Sequence, residues 1–350
     1  MTATLADYTT LGLGGPAGAF TSAGTEAELI DAVRTADAAA EPVLLIGGGS
    51  NLVISDAGFP GTVVAVNTRG IRYDDAGDGA VDVTVAAGED WDDVVAATVA
   101  EGLAGLETLS GIPGRAGATP IQNVGAYGRE VAEVITQVRV HDRERGRLVV
   151  LDNEACAFAY RTSRFKAAGA RSVVLEVTFR LARQPQSLPV KYAELAAELG
   201  LAQGERAGIG EARAAVLKIR ARKGMVLNPG DPDTRSAGSF FTNPIVTADQ
   251  FARVEAAAAA RQAGPVPRYE AGPGLVKIPA AWLIEHAGFA RGYGAPSPAR
   301  VSSKHTLALV NTGNATTADL LALAREIVSG VDSAYGVTLT PEPILIGVSF

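Results

Sequence analysis

The chain has 350 residues, 47% of them hydrophobic and 20% charged, and no segment has the composition of a disordered region. Its length predicts two or three domains. A formal net charge of −7 argues against a general nucleic-acid-binding protein. A single cysteine excludes an internal disulfide and fits a cytoplasmic location.

The N-terminus, MTATLADYTT, has neither the basic nor the apolar segment of a signal peptide. No run reaches the roughly 20 apolar residues of a membrane span, so we expect no membrane insertion. The three histidines, His141, His286 and His305, lie far apart in the sequence, and none pairs with a cysteine. We therefore predict neither a metal site nor a Ser-His-Asp triad. His141 alternates with Arg139, which predicts a polar strand face.

Short strands and glycine turns dominate the first half of the chain. The runs VLLI (43–46) and GTVVAVN (61–67) predict buried strands. DWDDVVAATVAEG (90–102) predicts a helix. Apolar and polar residues alternate in SVVLEVTFRL (172–181), as in a strand with one buried face.

Helices become more frequent after residue 205. TTADLLALAREIV (316–328) carries Thr316 and Asp319 at the spacing of a capping box. The closing segment ILIGVSF predicts a last strand. Because strands and helices do not alternate regularly, the pattern favours an α+β fold over a doubly wound sheet. A further helix is predicted from one apolar face, formed by Ile209, Ala212, Val216 and Ile219.

Two glycine-rich segments are candidates for ligand binding. In LLIGGGSNLV (44–53) a strand enters three glycines followed by Ser-Asn, which can cradle a phosphate or form a tight turn. Leu52 stands where the Rossmann fingerprint needs glycine, so that fold is not indicated. The loop GIPGRAGATPIQNVGAYG (111–128) has five glycines, two prolines and one charge. A packed irregular loop of this length favours cofactor binding over a plain surface loop.

Charged residues give three weaker signals. Arg161 in AYRTSRFK could clamp a carboxylate, although a solvated basic strand is the simpler interpretation. The cations of RAAVLKIRARK (213–223) suit a helix C-terminus, with a diphosphate-binding patch as the alternative. Glu342 in TPEPILIG lies between two prolines that restrict the backbone, so it is either a preorganised carboxylate or a surface residue entering a strand.

In their order along the chain, these segments resemble the UDP-N-acetylenolpyruvoylglucosamine reductase family. The resemblance covers nearly the whole chain, and its motifs are weak singly but specific in their joint order and spacing. The matching segments are YTTLGLGGPA, LLIGGGSNLVISDAGFPGTVV, GLETLSGIPGRAGATPIQNVGAYGRE, YRTSRFK, RKG…DPDTRSAGSFFTNP, AAWLIEHAGF and TPEPILIG.

The resemblance implies an α+β protein: a two-subdomain FAD-binding fold of the vanillyl-alcohol-oxidase/PCMH type and a C-terminal α+β substrate domain. Residues 1–67 and 68–205 are expected to form the FAD-binding subdomains, with a C-terminal strand at about 344–350 joining the first. Residues 206–343 are expected to bind the UDP-sugar. VKYAEL, around Tyr192, resembles the longer branch of the family, which has an additional tyrosine loop.

The resemblance also assigns roles to individual residues. Ser239, in RSAGSFFTNP, corresponds to the proton donor, and Arg161 and Glu342 correspond to the pair that stabilises the enolic intermediate. Contacts to the UDP-sugar fall on Tyr192, Lys223 and Asn243. The FAD-binding positions are Gly47, Gly48, Gly49, Ser50, Asn51, Leu52, Ser110, Gly111, Ile112, Pro113, Gly114, Gly117, Ala118, Gln122, Asn123, Gly125, Ala126 and Tyr127.

The implied reaction is the NADPH-dependent reduction of UDP-N-acetylenolpyruvoylglucosamine to UDP-N-acetylmuramate, in peptidoglycan precursor synthesis, through non-covalent FAD. The reduced flavin gives hydride to the β-carbon, and Ser239 gives a proton to the α-carbon. Arg161 neutralises the substrate carboxylate, and a protonated Glu342 donates a hydrogen bond to it. The acidic surface is compatible with a monomer or a dimer.

Two other functions are open at this stage. Another flavoenzyme on the same fold, such as an oxidase of alcohols or sugars, usually carries a histidine or cysteine for covalent flavin attachment. Residues 47–51 and 111–128 contain no histidine, which speaks against it. A non-catalytic nucleotide-sugar-binding protein would keep Asn243 and the basic patch but would need neither Ser239 nor Glu342.

Overall fold

The computed structural model describes residues 3–350, except for the side chain of residue 170. The chain forms two compact units. The first comprises Ala17–Gly49 and Phe59–Val226, together with residue 3. The second comprises Thr4–Pro16, Ser50–Gly58 and Leu227–Phe350. The three-part division into subdomains, with boundaries at 67, 205 and 343, stays a prediction.

The first unit begins with a small parallel sheet. Its strands lie in the order Ala17–Ala23, Phe59–Val66, Val43–Ile46. Helix Glu26–Ala38 provides the crossover that a parallel arrangement requires. A capping box at Thr25 starts this helix, an arrangement that typically contributes about 1 kcal/mol.

The larger sheet of the first unit is antiparallel. Its central strand, Ser172–Arg183, buries Leu175, Val177, Phe179 and Leu181, so the predicted one-sided strand is confirmed. Its strands lie in the order Arg147–Asp152, Ile135–Asp142, Ser172–Arg183, Ala80–Ala86, Ile71–Gly77, and Leu103–Ala104 pairs with Ser172–Arg183.

The predicted polar face at His141 is wrong. His141 is buried, whereas Arg139 remains partly exposed. The register between Ile135–Asp142 and Ser172–Arg183 shifts between Arg139 and Val140. Such a bulge interrupts the two-residue alternation on which the prediction rested. Burial is the largest cause of the lowered pKa of His141.

Helices cover the sheets of the first unit. The predicted helix at 90–102 is confirmed as Trp91–Ala100; Asp90 caps it, and Trp91 packs on Phe179 with ring centroids 5.6 Å apart. Helix Ile209–Arg222 also confirms its prediction. The other elements are the α-helices Arg164–Ala167 and Ala193–Leu199, the strand pair Gly125–Ala126 and Arg129–Glu130, and the 3-10 helices Glu107–Leu109, Ala116–Ala118, Val131–Glu133, Glu154–Cys156 and Gly169–Arg171.

The second unit packs helices and short sheets around its own apolar core. Its longest helix, Thr317–Tyr335, starts at Thr316 with the predicted capping box to Asp319. The other helices are Ala248–Ala260 and Ala280–His286, with 3-10 turns Leu5–Tyr8 and Pro232–Thr234. In one short sheet, strand Leu275–Lys277 lies between Ile245–Thr247 and Tyr269–Glu270. Strand Ala299–Val301 pairs with Leu309–Asn311, and Ile344–Ile346 pairs with Leu52–Ile54.

Among residues 3–350, no helix combines the length and the apolar character needed to cross a bilayer.

Candidate cofactor and substrate site

The two glycine-rich loops of the first unit touch each other through their backbones. A Cβ atom added to Gly48 would lie 2.7 Å from the Cα of Gly114, and one added to Gly47 would lie 3.1 Å from Cγ of Arg115. Side chains at these positions would therefore push the loops apart. The structure thus brings residues 47–49 together with the segment around Gly114, as a shared cradle of main-chain groups would require.

The start of loop 111–128 is fixed against the N-terminus of helix Trp91–Ala100. The Gly111 N–H donates to Asp92 Oδ1 (2.6 Å), and the Trp91 N–H donates to the Gly114 carbonyl (3.1 Å). Asp92 is also held by a forked pair with Arg213, at 2.6 and 2.9 Å. Burial opposes ionisation of Asp92, but the Arg213 guanidinium and the Gly111 N–H outweigh it and keep its pKa below the usual range.

Arg161 is held by the far part of the same loop. Its Nη2 donates to the Gly125 carbonyl (2.7 Å) and its Nη1 to the Asn123 carbonyl (3.4 Å). Arg161 and Asn123 both have left-handed backbones, with φ of 54° and 49°. A non-glycine residue in that region is disfavoured, and such strain clusters at functional sites. The Asn123 side chain, bonded to Glu130 and to the Ala159 carbonyl, helps to fix this geometry.

Tyr192 contacts the end of this loop, and Lys223 pairs with the helix that follows Tyr192. The Tyr127 and Tyr192 rings meet edge to face, with centroids 5.5 Å apart. Tyr192 is also the N-cap residue of helix Ala193–Leu199. Lys223 Nζ pairs with Glu194 in the first turn of that helix, at 2.5 Å. Burial raises the pKa of Tyr127 to about 12, so its phenol is neutral at physiological pH.

The segments that contain Ser239 and Glu342 are hydrogen-bonded to each other in the second unit. Phe240, which follows Ser239, donates its N–H to the Leu307 carbonyl (2.7 Å) and accepts from the Glu342 N–H (2.9 Å). Phe241 bridges Pro341. Gly238, before the serine, has a φ of 72°, which only glycine adopts readily. Phe240 and Phe241 are fully buried, so they anchor a partly exposed Ser239.

Asn243 and Asn51 are placed by backbone contacts in the same unit. Asn243 Oδ1 accepts from the Ala280 N–H at the start of helix Ala280–His286 (2.9 Å), which leaves its NH₂ group as the donor end. The Asn51 carbonyl accepts from the Ile344 N–H (2.9 Å), beside Glu342. The predicted FAD-binding residues Ser50, Asn51 and Leu52 therefore belong to the second unit, whereas Gly47, Gly48 and Gly49 belong to the first.

The predicted site residues thus form two groups. Arg161, Tyr192, Lys223 and the loop 110–127 share the first unit, and Ser239, Asn243 and Glu342 share the second. Arg115 lies within loop 111–128, and Arg220 lies beside Gly111 at the start of that loop. The sequence did not single out Arg115, and it indicated Arg220 only as one of the cations of 213–223. Within residues 3–350, no three His, Cys, Asp or Glu side chains gather in the way that metal ligands do.

Comparison with known proteins identifies the family. Residues 231–346 match the family model for the C-terminal domain of UDP-N-acetylenolpyruvoylglucosamine reductase, and residues 17–152 match an FAD-binding domain. Curated reductases of this name are 55% identical in Thermobifida fusca, over 99% of this chain and 97% of the relative, and 56% identical in Streptomyces coelicolor, over 99% and 90%. The chain belongs to the UDP-N-acetylenolpyruvoylglucosamine reductase family.

A solved structure agrees with this assignment. The UDP-N-acetylenolpyruvylglucosamine reductase of Thermus caldophilus has a TM-score of 0.65 and 27% identity, covering 99% of this chain and 98% of its own. The predicted fold class is therefore confirmed: an α+β protein of the vanillyl-alcohol-oxidase/PCMH type with a C-terminal α+β domain. The chain is an FAD-dependent oxidoreductase of the reductase family.

The residues present fit a dinucleotide cofactor. The close approach of Gly48 and Gly114 leaves main-chain surface where a diphosphate could lie. Nε of Arg115 is buried without a hydrogen-bond partner among the described residues, and the guanidinium lies 3.6 Å from the partly exposed Asp90. A buried N–H of this kind requires an acceptor, and a phosphate oxygen is one.

Proposed function

We propose that this chain reduces UDP-N-acetylenolpyruvoylglucosamine to UDP-N-acetylmuramate in peptidoglycan precursor synthesis, with NADPH as electron donor and non-covalent FAD. Full-length identity above 50% to reductases of that name supports the substrate. The observation that carries the mechanism is the backbone link between the Ser239 and Glu342 segments through Phe240. It joins two residues that this chemistry uses together, although they are distant in sequence.

Arg161 would bind the substrate carboxylate. FAD, once bound and reduced by NADPH, would supply a hydride for the enolpyruvyl β-carbon, which leaves negative charge on the α-carbon and its carboxylate for the protein to stabilise. A guanidinium offers five donors in a fixed plane, so part of it can bond to the loop while the rest neutralises a carboxylate. The contact of Arg161 with Gly125 sets the direction of that plane.

Ser239 Oγ would donate its proton to the α-carbon. A serine hydroxyl is a weak acid, but a carbanion-like carbon is a strong base, so position matters more than acidity. Gly238, in its left-handed conformation, and the buried Phe240 fix the backbone on both sides of Ser239. The two phenylalanines that follow Ser239 are apolar and buried, and they would limit the access of water, which would otherwise compete as the proton source.

Glu342 would act on the same carboxylate as Arg161. As a protonated acid it can donate a hydrogen bond to the developing dianion, whereas an ionised glutamate would repel it. Its backbone is tied to Phe240, and the next residue, Pro343, is buried. A carboxyl group on a backbone held in this way is preorganised for one acceptor position.

Tyr192, Lys223 and Asn243 would hold the UDP-sugar. The ammonium of Lys223 and the NH₂ group of Asn243 are donors suited to diphosphate oxygens. Because Lys223 pairs with Glu194, a diphosphate must compete with that carboxylate for the ammonium. Tyr192 is 38% exposed, and its ring, which packs edge to face on Tyr127, would cover a bound nucleotide-sugar.

The test is turnover by purified protein. Protein carrying FAD is mixed with NADPH and UDP-N-acetylenolpyruvoylglucosamine, and loss of NADPH is followed. We expect one NADPH consumed for each UDP-N-acetylmuramate formed, with little loss when the sugar is omitted. Flavin-loaded protein that consumes no NADPH with this substrate would refute the proposed activity.

A further inference from the structure

Loop 111–128 carries a single charged side chain, that of Arg115. Its aliphatic stem lies against the other glycine-rich loop, because a Cβ added to Gly47 would lie 3.1 Å from Cγ and 3.2 Å from Cβ of Arg115. At the next position of that loop, a Cβ on Gly48 would lie 2.7 Å from Cα of Gly114. Arg115 therefore places a cation where the two glycine-rich loops meet.

The backbone of Arg115 is held on both sides. The residue is extended, with φ of −114° and ψ of 150°. The Trp91 N–H donates to the carbonyl of Gly114 (3.1 Å), and the Ala116 N–H donates to the carbonyl of Glu89 (2.9 Å). A side chain on a backbone fixed in this way starts from a defined position, so less conformational entropy is lost when it binds a ligand.

The protein itself leaves part of the Arg115 guanidinium unbonded. The side chain is 23% exposed, and its Nε is buried with no hydrogen-bond partner in the part of the chain that the structure describes. The Asp90 carboxylate is an ion-pair partner, but its Oδ2 lies 3.6 Å from Nη1, too far for a hydrogen bond, and its side chain is 44% exposed. Such a pair contributes little, whereas an unbonded buried N–H is costly. Asp90 therefore does not account for the position of this guanidinium.

The Nε edge of a guanidinium has the geometry that a phosphate requires. Nε and one Nη lie side by side, so they can donate two parallel hydrogen bonds to two oxygens of one phosphate. We propose that Arg115 is a cofactor-binding residue that donates to the diphosphate of FAD where the two glycine-rich loops meet. The inference rests on the proposed function, because it concerns how FAD is bound. It adds a cation to the FAD positions assigned from the sequence, all of which are uncharged.

The test is FAD affinity in variants that separate a phosphate contact from the pair with Asp90. The full-length chain is stripped of flavin and titrated with FAD, with flavin fluorescence as the signal, for wild type, Arg115→Met and Asp90→Asn. A hydrogen bond to a charged group is worth enough that Arg115→Met should raise the FAD Kd about tenfold or more. Asp90→Asn keeps a good N-cap for helix Trp91–Ala100 but removes a carboxylate that competes with phosphate for Arg115. Its FAD Kd should therefore stay unchanged or fall.

Ionic strength gives a second, independent measurement. Salt screens the attraction between a partly exposed cation and a phosphate, so added KCl should weaken FAD binding by wild type more than by Arg115→Met. Arg72→Met removes an exposed cation elsewhere in the first unit, and this control for net charge should leave the FAD Kd unchanged. If Arg115→Met does not fold, Arg115→Lys replaces it in the titration. It keeps the charge but lacks the fork, so its FAD Kd should still rise several-fold.

Two results would overturn the proposal. One is a wild-type FAD Kd in the Arg115 variant. The other is an equal loss of affinity in Arg115→Met and Asp90→Asn, which would make their ion pair, and not a phosphate contact, the source of the effect. FAD alone is the ligand in these titrations. A wild-type chain that binds FAD but consumes no NADPH would therefore refute the proposed activity and leave the result for Arg115 standing.

Discussion

Ser239, the proposed proton donor, belongs to a residue type that has no distinctive acid chemistry. A serine hydroxyl is in general a weak acid, and sequence patterns alone would make Ser239 a turn residue. What distinguishes it is the setting: a left-handed Gly238, two buried phenylalanines and the adjoining Glu342 segment. A general acid in a fixed position contributes roughly 10²–10⁴-fold to a rate, which is the size of effect expected from Ser239.

Replacing Ser239 should separate the two half-reactions. Ser239→Ala removes the proposed proton donor but no charge, so reduction of FAD by NADPH should stay near the wild-type rate. Reoxidation of the flavin by the UDP-sugar should slow by about a hundredfold or more. Rapid-mixing measurements of each half-reaction check this, with the exposed Ser333→Ala as the control. Equal losses in both halves would remove Ser239 from the role of donor.

Arg161 should not tolerate replacement by lysine. An ammonium keeps the charge but cannot bond to Gly125 and grip a carboxylate in one plane. Losing a hydrogen bond to a charged group costs about 1.5–3 kcal/mol, which corresponds to roughly 10–100-fold in kcat/KM for the UDP-sugar. Arg164→Lys, in the same segment and exposed, is the matched control. Normal turnover by Arg161→Lys would exclude it from the site.

The capping boxes show what local pattern can predict at the scale of single elements. Thr316 and Asp319 marked the start of helix Thr317–Tyr335 correctly, because both partners of a capping box lie within one turn. The same pattern at Thr25 and Glu28 starts helix Glu26–Ala38, which was not predicted although Leu29, Val33 and Ala36 form one buried face. His141 was misplaced because a bulge depends on the partner strand, which local alternation does not report.

The candidate site was predictable to a similar extent. Motif order indicated the residues that are proposed to bind or react, including both glycine-rich loops. Arg220 was grouped with the other cations of 213–223, because a cation in the last turn of a helix has a sufficient local explanation. Its burial beside Gly111, which is far away in sequence, is defined only by the fold. Positioning residues are in general harder to infer, since their partners are defined only by the fold.

The contact between the two glycine loops can be tested with one methyl group. Gly48→Ala places a Cβ 2.7 Å from Gly114 Cα, where the backbone must move. Overpacking of this kind costs about 1–3 kcal/mol, so we expect the FAD Kd to rise roughly tenfold. Gly210→Ala is the control, because a Cβ there meets nothing within 4 Å. Unchanged FAD binding by Gly48→Ala would place the cofactor elsewhere.

For the molecule as a whole, each unit has its own apolar core, and the predicted FAD positions are divided between units at the Gly49–Ser50 bond. The first unit has the glycine cradle, and its sole cysteine, Cys156, is fully buried. Residues 47–51 and 111–128 contain neither histidine nor cysteine. The loops therefore lack the side chains that usually attach flavin covalently.

Flavin should accordingly leave the protein on denaturation. After acid precipitation of the yellow protein, we expect all of the flavin absorbance in the supernatant and none in the pellet. The physical reason is that neither loop has the histidine or cysteine that usually attaches flavin covalently. Flavin retained in the washed pellet would contradict non-covalent binding. It would instead support the alternative function, an oxidase with covalently attached flavin.

Cys156 can report how strongly FAD stabilises the first unit. Burial raises the pKa of its thiol to about 11, so at neutral pH the native protein holds an unreactive, inaccessible thiol. Labelling by a thiol reagent then requires the unit to open. A ligand at 100 times its Kd stabilises the native state by about 2.7 kcal/mol, so FAD at that concentration should slow labelling by up to about a hundredfold. The rate is measured by mass spectrometry with and without added FAD. Equal rates would show that the opening that exposes Cys156 leaves the FAD site intact, and a fast rate in both cases would contradict the buried thiol.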